Sequence, residues 1–311
     1  MDDSDRWQCT PVRAFRLPAS LGCLFLVLML FGAACGWPAI GGAPAEGEST
    51  QWWGSRTGYP KPQLHEPRPS TDPAVREAVR QVDAKAGELS GSTVAVAVLD
   101  RETGEVIGGE HADERFGTAS LSKLLVAVDV ARRHTEGMPV ADADVDLIRR
   151  ALSISDDAAM NALWDRFDGA GAISRLAVRY GLTRTRPPEV PGNWGGTETS
   201  ARDVATVLAQ IPTLPAAERD LLLGPLDAAP RTAAEGFDQG YGLKDSTRPV
   251  AVKAGWMCCD DGRRTVHSAG LIGPDRRYAV ALLSTQPTSK SYSEASEVVT
   301  EAAEPLLDNL G

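Results

Sequence analysis

The segment Phe116-Gly117-Thr118-Ala119-Ser120-Leu121-Ser122-Lys123 places a serine three residues before a lysine, at the head of an apolar helix expected over Leu124 to Ala131. Residues three apart on a helix share a face, so hydroxyl and ammonium stand one turn apart. A serine hydroxyl is nearly inert at neutral pH until a base takes its proton. A lysine withdrawn from water, with its pKa lowered, can be that base. The same pattern also arises from a serine that merely caps a helix beside a solvated lysine, so the pair needs partners from elsewhere in the chain.

The elements that must position such a pair are readable around it. Thr71 or Asp72 can cap a first helix, Pro73 is preset for its first turn, and Val75, Val79, Val82, Ala86 and Leu89 form its apolar stripe. Thr93 to Leu99 reads as a strand, Arg101-Glu102-Thr103-Gly104 as a turn, and Glu105 to Gly108 as the start of a partner strand. Near the other end, Val250 to Lys253, Thr265 to Ile272 and Tyr278 to Ser284 read as three more strands. A closing amphipathic helix carries Tyr292, Val298, Val299, Leu306 and Leu307 on one face. Between the two strand groups the pattern is helical. The expected fold is therefore α+β: an antiparallel sheet covered by N- and C-terminal helices, with an inserted all-helical subdomain.

Two later segments complete the constellation. Ser155-Asp156-Asp157-Ala158-Ala159-Met160-Asn161-Ala162-Leu163 resembles the Ser-Asp-Asn motif of class A β-lactamases, and Val252-Lys253-Ala254-Gly255-Trp256 resembles their Lys-Thr-Gly strand. With Ser120 and Lys123 the three motifs fall in family order. Over residues 73–311 the chain resembles the penicillin-recognising serine hydrolases, meaning class A β-lactamases and related D-Ala-D-Ala peptidases. The resemblance implies that Ser120 is the acylated nucleophile and Lys123 its base or proton relay. Ser155 would pass a proton to the leaving nitrogen, with Lys253 holding that serine and a substrate carboxylate. It further implies an oxyanion hole from the backbone N–H groups of Ser120 and Trp256, with Asp157, Ala254, Gly255 and Trp256 lining the substrate. Asn161 is expected to brace the loop that follows.

The chain departs from that pattern in the spacing from Ser120 to Ser155, which is shorter than the family usually has, and at three further places. Asp157 stands where the family has an asparagine, so an amide donor is replaced by a carboxylate that only accepts. Ala254 lacks the hydroxyl that family members aim at the substrate carboxylate. Glu189-Val190-Pro191-Gly192-Asn193 has the Glu-x-x-x-Asn spacing of the pair that positions hydrolytic water, but Pro187, Pro188, Pro191 and Gly192 oppose the helical turn that pair needs. Glu189 is read either as that general base or as an exposed loop carboxylate. Three functions follow: a β-lactamase-type hydrolase working through an acyl-serine; a D-Ala-D-Ala carboxypeptidase or penicillin-binding relative; and a non-catalytic envelope lipoprotein that keeps the fold for binding.

Composition bounds the alternatives. The 311 residues are 42% hydrophobic and 24% charged, enough for a sizeable core, and 42 acidic against 32 basic residues give a net charge of -10. With no Lys/Arg-rich run, nucleic acid is not an expected partner. Four histidines and five cysteines show no zinc-site spacing, so neither metal nor cofactor is expected. Arg6, Arg13 and Arg16 precede an uncharged run from Leu21 to Ala34, which reads as the h-region of a signal peptide over residues 1–35. Gly32-Ala33-Ala34-Cys35 resembles a lipobox that would lipidate Cys35. Residues 36–72, rich in Gly and Pro, read as a linker to the hydrolase-like domain at 73–311. The expected product is an extracytoplasmic monomer, secreted or held at the membrane only through a lipid, acting on a β-lactam or a peptidoglycan peptide. For Cys258 and Cys259 a mutual disulfide, free thiols and pairing with another molecule are all open. His267 is read as a satisfied buried residue, and His134 as one placed near a helix end.

Overall fold

The Val/Ala alternation of β1 (Thr93–Asp100) is the key to how the layers assemble. Val94, Val96 and Val98 belong to one apolar cluster, and Ala95, Ala97 and Leu99 to another. Successive strand residues point to opposite faces, so β1 is buried on both sides. The structure is a computed structural model and describes residues 72–244, 250–260 and 262–311. The leader expected over 1–35, the lipidation residue Cys35 and the linker as far as residue 71 lie outside the described residues.

Five antiparallel strands form the sheet in the order β2 (Val106–Gly108), β1, β7 (Tyr278–Pro287), β6 (Arg263–Ile272) and β5 (Ala251–Asp260). Its outer face carries α1 (Pro73–Gly87), capped by Asp72 Oδ1 accepting from Ala74 N–H at 2.9 Å, and α8 (Tyr292–Leu310), closed by a Ser291/Glu294 capping box. The chain between β2 and β5 folds over the other face as α2 (Leu121–Thr135), α3 (Asp142–Ser153), α4 (Asp157–Arg166), α5 (Gly169–Tyr180), α6 (Ala201–Gln210) and α7 (Ala216–Asp227). The α+β class and its inserted helical subdomain are as expected. The last three strands run further than read from the sequence. β5 continues through Trp256 to the two cysteines, because the partner β6 pairs with it as far as Asp260.

α2 is buried all round from Leu121 to Ala131, its Ser122, Lys123 and Asp129 included, which makes it the axis of the helical part. A two-stranded ribbon of β3 (Phe116–Gly117) and β4 (Glu198–Thr199) leads into it. His267 anchors that ribbon. It is fully buried, donates from Nε2 to Gly117 O at 2.8 Å and accepts at Nδ1 from Ser284 N–H at 3.1 Å. A carbonyl on one side and an amide N–H on the other fix the neutral tautomer.

Burial pushes the His267 pKa down to about 4, the Gly117 carbonyl pulling weakly the other way. The neutral ring therefore contributes stability that is complete above 6.5 and is lost as pH falls from there through about 4. His267→Gln is expected to lose about 3 kcal/mol of that acid sensitivity, read from urea unfolding at neutral pH and near the folded-state pKa. An acid loss equal to the wild type's would contradict this origin.

Candidate active site

Ser120 occupies the position just before α2 but makes no cap bond with its side chain. Its Oγ accepts from Lys123 Nζ at 2.7 Å, and Lys123 is fully buried. A capping serine beside a solvated lysine is therefore not what the chain forms. The preceding residue, Ala119, has φ +46°, a left-handed conformation that costs a non-glycine residue of order 1–3 kcal/mol unless its surroundings hold it. They do so here. Thr118 N–H donates to Thr197 O at 2.7 Å and Ala119 N–H to Gly195 O at 2.9 Å, while Ser122 Oγ donates to Ala119 O at 2.9 Å. Ser122 is thus spent on the turn and faces away from the Ser120/Lys123 pair.

Ser155 lies in the three-residue connection between α3 and α4, also left-handed at φ +58°. Gln239 Nε2 donates to Ser153 O at 2.8 Å, Ala234 N–H to Ile154 O at 2.7 Å, and Arg150 Nε to Asp156 Oδ2 at 2.9 Å. This clamp aims the Ser155 hydroxyl between two lysines. Lys123 Nζ stands 3.4 Å from Ser155 Oγ and Lys253 Nζ 2.8 Å from it, the latter also donating to Ala254 O at 2.7 Å. Ser120, Lys123, Ser155 and Lys253, spread over 134 positions of sequence, form one continuous hydrogen-bonded line.

Electrostatics tune the two lysines differently. Burial lowers the Lys123 pKa, and Asp157 Oδ1, 2.6 Å from Nζ, raises it part of the way back. Burial, and then repulsion from Lys123, holds Lys253 well below an ordinary lysine. Glu235 adds a second carboxylate whose field reaches both lysines, and its Oε1 accepts from Asp157 N–H at 3.2 Å. Sequence reading missed Glu235. It sits in a polar loop 78 residues beyond Asp157, with no periodicity to mark it.

Gly255 lets β5, the edge strand, approach the start of α2. A Cβ there would lie 3.3 Å from both Leu121 N and Thr118 O, tighter than a side chain tolerates without displacing backbone. Ala254 is buried and, without a hydroxyl, leaves that position of the cleft apolar. Trp256, half-buried, is packed edge-on by Phe237 with centroids 5.1 Å apart and lies 5.1 Å from Tyr292. This aromatic wall joins β5 to α8 and was not anticipated beyond Trp256 itself.

Glu189 is placed elsewhere. Its side chain is 80% exposed and pairs with Arg186 at 3.3 Å. No helix forms at Pro187 to Asn193; Asn193 N–H closes a reverse turn on Val190 O at 3.1 Å, and a helical turn begins only at Trp194–Gly196. Asn161 does reach the loop that follows, accepting from Trp194 Nε1 at 2.8 Å. Trp194, which the sequence did not single out, lays its ring 4.4 Å from Lys123 Nζ. His134 stands in the last turn of α2, 2.9 Å from Glu218 Oε1. Cys258 and Cys259 are joined to each other as a vicinal disulfide. Among the described residues, no three His, Cys, Asp or Glu side chains converge as a metal site.

Comparison with known proteins agrees with this fold. The family model described as "Beta-lactamase enzyme family" matches residues 141–310, more than half of the chain. The "Putative lipoprotein LppW" of Mycobacterium bovis and of Mycobacterium tuberculosis is 33% identical over 238 residues, 74% of this chain and 74% of the relative. A β-lactamase from Chitinophaga pinensis superposes with a TM-score of 0.61 at 15% identity, covering 75% of this chain and 98% of that one. PBP-A superposes with a TM-score of 0.60 at 20% identity, covering 75% and 95%. With its sheet, its inserted helices and this span of matched sequence, the chain belongs to the β-lactamase enzyme family.

Proposed function

We propose that the protein is a serine acyl hydrolase that opens a β-lactam, or the amide of a D-Ala-terminated peptide, through an ester on Ser120. The observation that carries this reading is the unbroken line from Ser120 Oγ through Lys123 Nζ and Ser155 Oγ to Lys253 Nζ. Lys123 in its deprotonated form, which its lowered pKa makes more accessible, takes the Ser120 proton as Oγ attacks the carbonyl carbon. Negative charge gathering on the carbonyl oxygen is met by the backbone N–H groups of Ser120 and Trp256. The proton then reaches the departing nitrogen through Ser155, which gives its own proton to the nitrogen as it takes one from Lys123, so that Lys123 is neutral again while Lys253 Nζ holds the Ser155 hydroxyl in place.

The position of Glu189 favours slow release of the acyl group, and so a penicillin-binding or peptidase-like protein over an efficient β-lactamase. A solved acyl-enzyme complex of a PBP-A mutant with penicillin-G, 21% identical with a TM-score of 0.58, supports a lactam as probe. Labelling by a fluorescent penicillin is expected in the wild type and absent in Ser120→Ala. Equal labelling of both would put the ester on another side chain, and labelling of neither would leave only a binding role.

The relatives' lipoprotein name and the Gly32-Ala33-Ala34-Cys35 run support anchoring of mature Cys35 on the outer face of the membrane. Cys35→Ser is expected to move the protein from the detergent phase to the aqueous phase in a phase-partition assay. Retention in the detergent phase would rule this anchor out.

A further inference from the structure

Lys123 Nζ has its three donor directions taken, by Ser120 Oγ at 2.7 Å, Asp157 Oδ1 at 2.6 Å and Ser155 Oγ at 3.4 Å. The face left over carries the Trp194 ring, 4.4 Å from the nitrogen. Lys123 is accordingly fully buried although Asp157, its ion-pair partner, is half-exposed. An indole face over an ammonium is attractive on its own account. It also fills the space from which water could otherwise reach the nitrogen.

The ring is fixed at both ends. Its Nε1 donates to Asn161 Oδ1 at 2.8 Å on α4. Its backbone is stitched to the nucleophile's own turn, since Gly195 O accepts from Ala119 N–H at 2.9 Å and Thr197 O from Thr118 N–H at 2.7 Å. A Cβ on Gly195 would stand 3.3 Å from Met257 Sδ, so the loop is also pressed against β5. The Trp194 loop is thus bound to the structure that presents Ser120.

We infer that Trp194 is a positioning residue that sets the lifetime of the Ser120 ester by denying water access to Lys123. This rests on the acylation proposed above and adds what controls the second half of the reaction. In that half, a water oxygen must bond to the ester carbon while a base takes its proton. The carbon–Oγ bond then breaks, and Oγ recovers a proton as the acid departs. Glu189 is turned outward on Arg186 and Asp157 is held by Lys123, so Lys123 is the amine nearest the ester, and Trp194 covers it.

The test measures both half-reactions with one penicillin: labelling rate, and adduct half-life by intact-protein mass spectrometry after excess reagent is removed. Trp194→Ala is expected to shorten the half-life tenfold or more while labelling no faster than wild type. Trp194→Phe, which keeps a ring over Lys123, is expected to restore at least half of the wild-type half-life. Asn161→Ala, which frees the indole N–H, is expected to shorten it severalfold, and it decides the matter should Trp194→Ala lose its cooperative unfolding transition. Adducts of equal lifetime in wild type, Trp194→Ala and Asn161→Ala overturn the inference and leave acylation standing. No adduct on the wild type overturns both.

Discussion

Lys123→Met is expected to slow labelling of Ser120 by a penicillin about a thousandfold, the range in which a positioned general base contributes. Methionine keeps the length and burial of the chain without an amine. Asp157, losing its partner, is half-exposed and remains solvated, so the substitution strands no buried charge. The wild-type labelling rate should rise with pH through the Lys123 pKa, which burial sets below the ordinary lysine value of 10.5, and the variant's should not. Asp157 raises that pKa towards normal, so Asp157→Asn removes an opposing charge and moves the rising limb to lower pH. At neutral pH that variant should therefore label faster than wild type. A limb that stays in place, or a Lys123→Met variant that labels within tenfold of wild type, would remove Lys123 from the role of base.

Replacing Ser155 is expected to slow labelling about a hundredfold, because it removes the only side-chain link between Lys123 and Lys253 among the described residues. The left-handed backbone at Ser155 separates chemistry from stability. Ser155→Ala keeps the strain, whereas Ser155→Gly relieves about 1 kcal/mol of it. Both lose the hydroxyl, so both should label equally slowly although the glycine variant unfolds at higher denaturant. Labelling that tracked stability, with glycine near wild type, would assign Ser155 to holding the turn.

How far these residues can be read from sequence depends on what joins them. Ser120 and Lys123 lie one helical turn apart, and Lys253 sits on a Val-rich strand; local periodicity marks all three. The strands and covering helices are legible for the same reason, since β1 alternates Val with Ala across two cores. What escapes notice is made by loops meeting loops. β3 and β4 are two residues each, with Phe116 opposite Thr199, too short for any alternation to show. Trp194 touches Lys123 from 71 positions away, and Glu235 touches Asp157 from 78. Glu189 illustrates the converse. Its spacing to Asn193 suits a helical turn, but Pro187, Pro188 and Pro191 keep the segment out of a helix and the carboxylate goes to Arg186.

The asparagine-to-aspartate departure at Asp157 acquires a physical meaning from the same geometry. A carboxylate at that place accepts from the base lysine at 2.6 Å, and Glu235, which accepts from the Asp157 backbone N–H, adds a second negative charge, so two acids offset two buried amines. The site is closer to neutral than one with an amide there. Recognition of an acylamide carbonyl is weakened accordingly, because no donor replaces the lost amide N–H.

Peptide mapping of the protein after exposure to a penicillin bears most directly on the central claim. A single adduct, one penicillin in mass, is expected on the peptide that contains Ser120. An unmodified Ser120 peptide, or an adduct carried by any other side chain, would contradict that claim.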